Sequence, residues 1–543
     1  MRKHAGERLQ RAVQRGVGAD AAHSIRAMLR PLVQRARVRR NLLSTLALSG
    51  AVAALLIPAQ AGARGPSVTA ALSSLKSSGA IAEAAYRQYT AAYAAANSSL
   101  KKLSGTRRAE LGAVIANTQG MAAAGAFIPT RLPVIFLTLE KNRQWWTTQP
   151  LVSSRVRVSF PPSKLVWEYY AGQGIQIQWL GTFGEANGYY LSGHENTNLR
   201  QLLSEVLPLA TKRAGGIAWE YMFHFDGGSP PWTSGLSQGT ALQVMARAWS
   251  RFKEPAYLTA AQQALGIFQT APATGVHVKT AAGAEYAEYT YAPSDRILNG
   301  FIQADVGLYD YTSITHDPLG LRLFEEGDAE ARAEVPHYDT GAWSMYDQYG
   351  ESDLNYHELL TEFLQHLCER TRKGPPAATA VTPAPSPTPS PSPTPTPAPP
   401  GGGSSETGGA SAAMAVARVP ERLQASAKGA QAPIAGDEIY CTTAQHFTTD
   451  LRTPPIVSLI TTTLRSGSRA GVQVSLSKIA TVKISIKRSG RMVWSNGATV
   501  ERGKPKILWT TPSQTGAYQV TITATDLAGN FSTANGTIVL SKH

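Results

Sequence analysis

The 543-residue chain predicts a multidomain α+β protein: a mainly α-helical (α/α) toroid or incomplete barrel behind a small β segment, then an all-β sandwich at the C-terminus. Three observations predict it. Apolar residues recur at helical spacing, in paired runs, between Leu199 and Leu367. Strict alternation replaces that spacing beyond Pro454. Between the two lies a Thr-Pro and Ser-Pro tract that cannot bury a core and reads as an extended spacer.

Residues 1–63 form a basic arm and an apolar stretch. The arm holds eleven Lys/Arg against Glu7 and Asp20, a net of +9, so of the total of +15 only +6 belongs to the rest of the chain. A nucleic-acid surface is therefore not expected. Arg39-Arg40 is followed by the apolar run Leu42–Pro58 and by the small residues Ala59-Gln-Ala61-Gly-Ala63. That order is the one of an export signal, either cleaved or kept as an N-terminal membrane anchor. Localisation outside the cytoplasm, secreted or anchored, is the expectation.

Residues 64–150 are expected to be a helical hairpin region. Tyr86, Tyr89, Tyr93, Leu100 and Leu103 share one helical face, Ser104-Gly105 interrupts it, and Ala109 to Asn117 resumes. Such a hairpin serves as a stalk or dimerising arm, or as a cap on the next domain. Residues 151–373 are expected to be the central domain, with a β segment over 151–190 and the helical part over 191–373. In the β segment, Leu165–Tyr170 and Ile175–Leu180 read as strands around the turn Gly172-Gln-Gly174, carrying aromatics of exposed type.

Helices are expected at Leu199–Leu207, then as a pair around Lys253-Glu-Pro255, then after Pro293-Ser294, and last from Tyr356 with Leu359, Leu360, Phe363, Leu364 and Leu367 on one face. The linker is set at 374–450 and the sandwich at 451–543. Turns in the sandwich are expected at Arg488-Ser-Gly490, Ser495-Asn-Gly497 and Leu527-Ala-Gly529-Asn530. Trp494 and Trp509 there are either glycan-binding aromatics or core. Cys368 and Cys441 flank the linker and either pair across it or remain free thiols.

Three segments carry chemistry. Tyr286–Asp310 includes Glu288 and Tyr289, Tyr338–Asp347 includes Tyr346, and Asn355-Tyr356-His357 closes the set. A carboxylate moves a proton near neutral pH when burial raises its pKa. A phenol does so only in a preorganised site, because its free pKa is about 10. One group removing a carbon-bound proton and another returning a proton from the opposite face would invert a sugar carbon. For a uronic acid that carbon is C5, acidified by the neighbouring carboxylate once a cation neutralises it. Paired carboxylates for glycoside cleavage are the alternative, with Glu285, Glu288, Asp339 or Asp347 as candidates.

Residues 180–370 resemble the C-terminal domain of the D-glucuronyl C5-epimerase family. The resemblance rests on Trp232-Thr-Ser-Gly-Leu-Ser-Gln238-Gly239, Glu288-Tyr289-Thr-Tyr-Ala-Pro293-Ser294, Leu298-Asn299-Gly300-Phe301, Tyr338-Asp339-Thr340-Gly341, Tyr346-Asp347 and Tyr356-His357, in that order. It implies a cofactor-independent epimerase of polymeric glucuronate with Glu288, Tyr289, Tyr346 and Tyr356 as catalytic residues. Trp232, Gln238, Arg296, Asn299, Asp347 and His357 are the candidates for substrate binding; no metal is implied. The C-terminal run Tyr518–Asn530 is similar to a strand and turn of bacterial immunoglobulin-like modules, so an immunoglobulin-like sandwich is expected there.

Two features of the family pattern are absent. Leu360 and Phe363 stand where the animal enzymes carry a histidine and a glutamine, and Tyr349 stands where they carry an arginine. The cation facing the substrate carboxylate must then come from elsewhere, and Arg296 or His357 is the expectation. The partner is expected to be a uronate-containing polysaccharide, with a homodimer as a further expectation. A uronate lyase or hydrolase, and a glycan-binding protein without turnover, are the alternatives.

Overall fold

The structure is a computed structural model that describes residues 65–376 and 438–542. The expected export signal or anchor and most of the spacer lie outside the described residues. Among the described residues no helix is long and apolar enough to cross a membrane.

Four helices come first: α1 Val68–Ser77, α2 Glu83–Lys102, α3 Gly105–Ala123 and α4 Leu132–Thr148. The break at Ser104-Gly105 separates α2 from α3, and Gly105 takes a left-handed φ of 55° there. These helices are a cap rather than a free arm. Leu111, Ile115, Phe136, Leu139 and Trp146 are buried in the same apolar core as the central domain, and Tyr89 stacks on Phe136 at 4.6 Å.

The cap holds up the β segment. Strands β1 Arg157–Val158, β2 Trp167–Tyr170 and β3 Gly174–Ile177 form an antiparallel sheet in the order β1-β2-β3. Glu110 of α3 accepts the N–H groups of Gly172 and Gly174 at 2.9 and 3.0 Å and the Tyr169 hydroxyl at 2.9 Å. Asn142 of α4 exchanges two hydrogen bonds with Ile175, at 2.6 and 2.7 Å. Both side chains thus serve backbone groups that a short sheet leaves unpaired. The strand aromatics expected to be exposed are buried: Trp167, Tyr169 and Tyr170 all lie in the core, because the cap covers this sheet.

The helical part contains α5 Trp179–Ser192, α6 Asn196–Val206, α7 Gly235–Phe252, α8 Pro255–Ala264, α9 Gly266–Gln269, α10 Leu298–Thr315, α11 Pro318–Glu334 and α12 Leu354–Thr371. Two hairpins of three-residue strands interrupt it, β4 Thr211–Arg213 with β5 Gly216–Ala218 and β6 His277–Lys279 with β7 Ala284–Tyr286. Helices α7 and α10 form its centre. Their backbones touch through glycines: a Cβ on Gly239 would stand 2.6 Å from Ala304 Cα, and one on Gly307 would stand 2.2 Å from Gly239 O. Helices α5 and α11 escape the periodicity reading because they pack partly through glycine; a Cβ on Gly327 would lie 2.1 Å from Asp305 Oδ1.

Glu438–Asp450, set within the linker by composition, is a helix, α13. Tyr440, Ala444 and Phe447 face the central core, and Cys441 is disulfide-bonded to Cys368 of α12 across 73 residues. Tertiary contact and the cross-link, rather than local composition, order this segment.

Strands β8 Val457–Leu459, β9 Thr463–Arg465, β10 Arg469–Leu476, β11 Ala480–Arg488, β12 Arg491–Val500, β13 Lys506–Thr510, β14 Gly516–Asp526 and β15 Phe531–Ser541 make the all-β C-terminal region. They form a three-stranded sheet, β13-β10-β8, and a five-stranded sheet, β12-β11-β14-β15-β9. The alternating residues Val472, Val474, Val482, Ile484, Ile486, Tyr518, Val520 and Ile522 fill a core of its own. Trp509 belongs to that core, with Trp494 packed against it. Ser495-Asn-Gly497 is not a turn, because β12 continues through it, paired with Lys483, Ile484 and Ser485 of β11.

Two outcomes are expected. Gly307→Ala forces α7 and α10 apart and lowers stability by about 1–3 kcal/mol, seen as a fall in Tm. Cys441→Ser releases the 73-residue loop and is expected to cost about 2–5 kcal/mol, read in the same melts with and without reductant.

Candidate active site

Glu288 and Tyr289 follow β7 and run beside Thr233–Gly235, where Gly235 N–H donates to the carbonyls of Ala287 and Glu288 at 3.1 and 3.2 Å. Glycine is required for that approach, since a Cβ on Gly235 would stand 2.6 Å from Ala287 O. The Glu288 carboxyl is thereby set at the N-terminus of α7. Ser234, the N-cap of α7, donates its hydroxyl to Glu288 Oε1 at 3.0 Å, and the Leu236 N–H donates to the same carboxyl. Gly300, in the first turn of α10, leaves the space that Oε2 occupies; a Cβ there would be 2.2 Å from it.

Burial pushes the Glu288 carboxyl up to about 8, against the lowering effect of Ser234 and Leu236. A helix N-terminus favours the anion, yet desolvation dominates, so at pH 7 the carboxyl is mostly protonated. Its Oε2 is buried without a hydrogen-bond partner. Burial also holds Tyr289 and Tyr356 well above the usual phenol range, with Tyr346 the next cause for both. Tyr289 and Tyr356 are therefore neutral in the free protein.

The four sequence-predicted catalytic residues gather at one place. Tyr289 stacks on Tyr291 at 5.2 Å, and Tyr346 lies on Tyr356 at 4.5 Å. Tyr346 and Tyr356 both act electrostatically on Tyr289 or are acted on by it. Only Glu288 and Tyr289 of the four line a pocket that opens to solvent.

The opposite wall comes from the β segment. Arg155, Tyr170, Gln178 and Leu180 line it, and Tyr221, Phe223, Phe225 and Trp232 complete an aromatic surround. Arg155 sits just before β1 with a left-handed φ of 74°, an uncommon conformation for a residue with a side chain. Its guanidinium lies 4.3 Å from the Tyr170 ring and 5.9 Å from the Phe225 ring. Nη1 is 3.9 Å from Glu168 Oε1 and has no hydrogen-bond partner. The guanidinium thus keeps an ion-pair contact with Glu168 while the residue lines the pocket. The sequence reading missed Arg155, Tyr170, Tyr221, Phe223 and Phe225. The alternating run Trp219-Glu-Tyr-Met-Phe-His-Phe225 was the available signal; nothing local marked Arg155.

Of the six candidates for substrate binding, Trp232 alone lines the pocket. Its ring stacks on Tyr221 at 4.3 Å, and its N–H donates to Phe223 O at 2.7 Å. Gln238 is buried away from the pocket and bonds both backbone groups of Trp219, at 3.3 and 2.9 Å. Asn299 is buried in the first turn of α10, outside the pocket wall. Asp347 shapes its own loop by accepting the N–H groups of Tyr349 and Gly350 at 2.8 and 3.0 Å.

The two cations expected to face the substrate, Arg296 and His357, do not line this pocket. Arg296 is enclosed by three carboxylates, with Glu285 at 2.7 Å, Glu334 at 3.1 Å and Glu330 in contact. His357 is fully buried, stacked on Trp343 at 3.7 Å, and burial pushes its imidazole down to about 4. Its Nε2 donates to Phe447 O at 3.0 Å and its Nδ1 accepts the Ser344 N–H at 3.1 Å, which suits the neutral ring. Arg155 is the cation at the pocket instead.

Residues 214–376 match the family model described as the D-glucuronyl C5-epimerase C-terminus. A D-glucuronyl C5-epimerase from Caenorhabditis elegans is 30% identical over 131 residues, which is 22% of this chain and 21% of the worm protein. An uncharacterized protein of Methanocaldococcus jannaschii (MJ1128) is 27% identical over 169 residues, 30% of this chain and 55% of that one. The match thus spans about a fifth of one curated relative and about half of the other. Among solved structures, an engineered protein shares 18% identity over 16% of this chain and 20% of its own, at a TM-score of 0.15. The segment that carries Glu288, Tyr289, Tyr346 and Tyr356 is thus the one that matches the D-glucuronyl C5-epimerase C-terminus.

Proposed function

We propose that this protein is an exported C5-epimerase of uronate units in a polysaccharide, converting glucuronate to iduronate type. The observation that carries the proposal is that Arg155, Glu288 and Tyr289 line one pocket. Arg155 binds the uronate carboxylate and neutralises it, which acidifies the C5–H bond and stabilises the enediolate formed when that bond breaks. Ionised Glu288 takes the C5 proton; its pKa of about 8 suits a base working near neutrality. A phenol returns a proton to the other face of C5, and the enediolate electron pair forms the new C–H bond. Tyr289 is the donor at the pocket, with Tyr346 and Tyr356 behind it. The proton on Glu288 and the phenolate then exchange with solvent, restoring both groups. No cofactor is required for this balance.

The aromatic surround of Tyr221, Phe225 and Trp232 suits a pyranose ring stacked in the pocket. The helix pairs frame it as an incomplete α/α barrel in this reading. The Cys368–Cys441 disulfide supports a site outside the cytoplasm, where such bonds persist.

Incubated in heavy water with polymeric glucuronate, the purified protein is expected to place deuterium at C5. Absence of exchange across a panel of uronate polymers overturns the proposal; a new ultraviolet-absorbing double bond indicates a lyase and chain shortening a hydrolase, and saturable binding without exchange indicates a glycan-binding protein. The exchange rate is expected to rise with pH as Glu288 ionises and to level off above about 8. Glu288→Gln removes the base and Arg155→Gln the carboxylate's counter-charge, and each is expected to lower kcat/KM by roughly 10²-fold or more.

A further inference from the structure

The loop that carries Tyr346, Trp343–Ser352, is held from outside the epimerase-like segment. Within the loop, Met345 and Glu351 form a bridge pair next to Tyr346, and the Tyr346 N–H donates to Gly350 O at 2.9 Å. The Glu351 carboxylate then leaves the loop for the C-terminal sheets. Its Oε1 accepts the Ile479 N–H at 3.3 Å and its Oε2 accepts the Arg502 N–H at 3.1 Å. Ile479 directly precedes β11 and Arg502 lies between β12 and β13, so one side chain joins two connections of the sandwich.

A second set of contacts acts on the base of the same loop. Trp343, fully buried, lies between His357 at 3.7 Å and the Lys478 ammonium at 5.0 Å. Lys478 is itself buried, paired with Asp526 at 2.8 Å and donating to Asp450 O at 2.8 Å. From α13, Phe447 O takes the His357 N–H, and His446 Nδ1 meets Asp339 at 2.6 Å just before the loop. Burying a carboxylate such as Glu351, or an ammonium such as Lys478, is unfavourable without specific partners. Glu351 finds its partners on the sandwich side of the junction, whereas Lys478 pairs with Asp526 of its own sandwich and reaches the Asp450 carbonyl of α13. An appended spacer domain has no need of such contacts.

We propose that Glu351 is a positioning residue through which the C-terminal sandwich braces Tyr346 for proton transfer. The proposal rests on the assignment of Tyr346 to the proton-transfer site. Displacement of a reacting group by about 1 Å can cost about 10²-fold in rate, and Glu351 ties this loop to the sandwich through two backbone N–H groups. The sandwich is then part of the catalytic apparatus and not only an adhesive or spacing module.

The test uses the full chain carrying Glu351→Ala or Glu351→Gln, the glutamine keeping the shape and one acceptor. In Glu351→Ala, kcat for C5 deuterium exchange is expected to fall about 10-fold or more while KM for the polymer stays within about twofold. Glu351→Gln is expected to recover part of the loss. Amide hydrogen exchange at Tyr346, Ile479 and Arg502 is expected to quicken in both variants, with Tm little changed. Unaltered kcat, or a rise in KM with kcat unchanged, overturns the proposal. Should the wild type itself exchange no C5 hydrogen, the epimerase reading fails separately. The brace is then judged by the amides: faster exchange at Tyr346 supports it, and unchanged exchange overturns it.

Discussion

The contact between α7 and α10 is the constraint on which the rest of the site depends. Gly239 and Gly307 let the two backbones meet, and their N-terminal turns consequently lie side by side. The chain after β7 passes between these turns because Gly235 and Gly300 make room for it. Glu288 is thereby shut away from water with few partners: Ser234 Oγ, the Leu236 N–H and an Oε2 left unsatisfied. Its raised pKa is a consequence of that packing rather than of any neighbouring charge. A larger residue at any of the four glycines would meet backbone or the carboxyl itself.

Charge in this molecule is arranged by separation. Arg296 stands near the site in sequence, yet three glutamates neutralise it. His357 is adjacent to Tyr356, yet burial keeps it uncharged. Arg155, more than a hundred residues before Glu288, reaches the pocket because Glu110 and Asn142 of the cap fasten the β hairpin beside it. An arginine, with its planar fork of donors, suits a carboxylate ligand better than an ammonium would. The cap, the β segment and the helical part therefore work as one body, as their common core also requires.

The C-terminal region extends that body. Helix α13 joins the central core and is cross-linked to α12, while the sandwich keeps a separate core of its own. The junction between the two is polar and specific: Glu351 with two backbone N–H groups, and Lys478 over the Trp343 ring. A junction of this kind fixes orientation, which an apolar contact of the same size would do less well.

Much of this was legible in the sequence because it depends on local pattern. The alternation of Val482, Ile484 and Ile486 specifies a half-buried strand in any context, and the spacing of Leu360, Leu364 and Leu367 specifies one helical face. The motifs around Glu288, Tyr346 and Tyr356 marked the residues that the fold gathers. What the tertiary structure alone decided are relations between distant segments. It ordered α13 through contacts with α12, buried the aromatics of β2, withdrew Gln238, Arg296, Asn299, Asp347 and His357 from the pocket, and brought Arg155 into it. Periodicity encodes which face of an element is apolar, but the partner of a charge depends on which chains meet. For Arg155 and Glu351 those meetings join the pocket's two walls and the loop to the sandwich, and no local pattern carries that information.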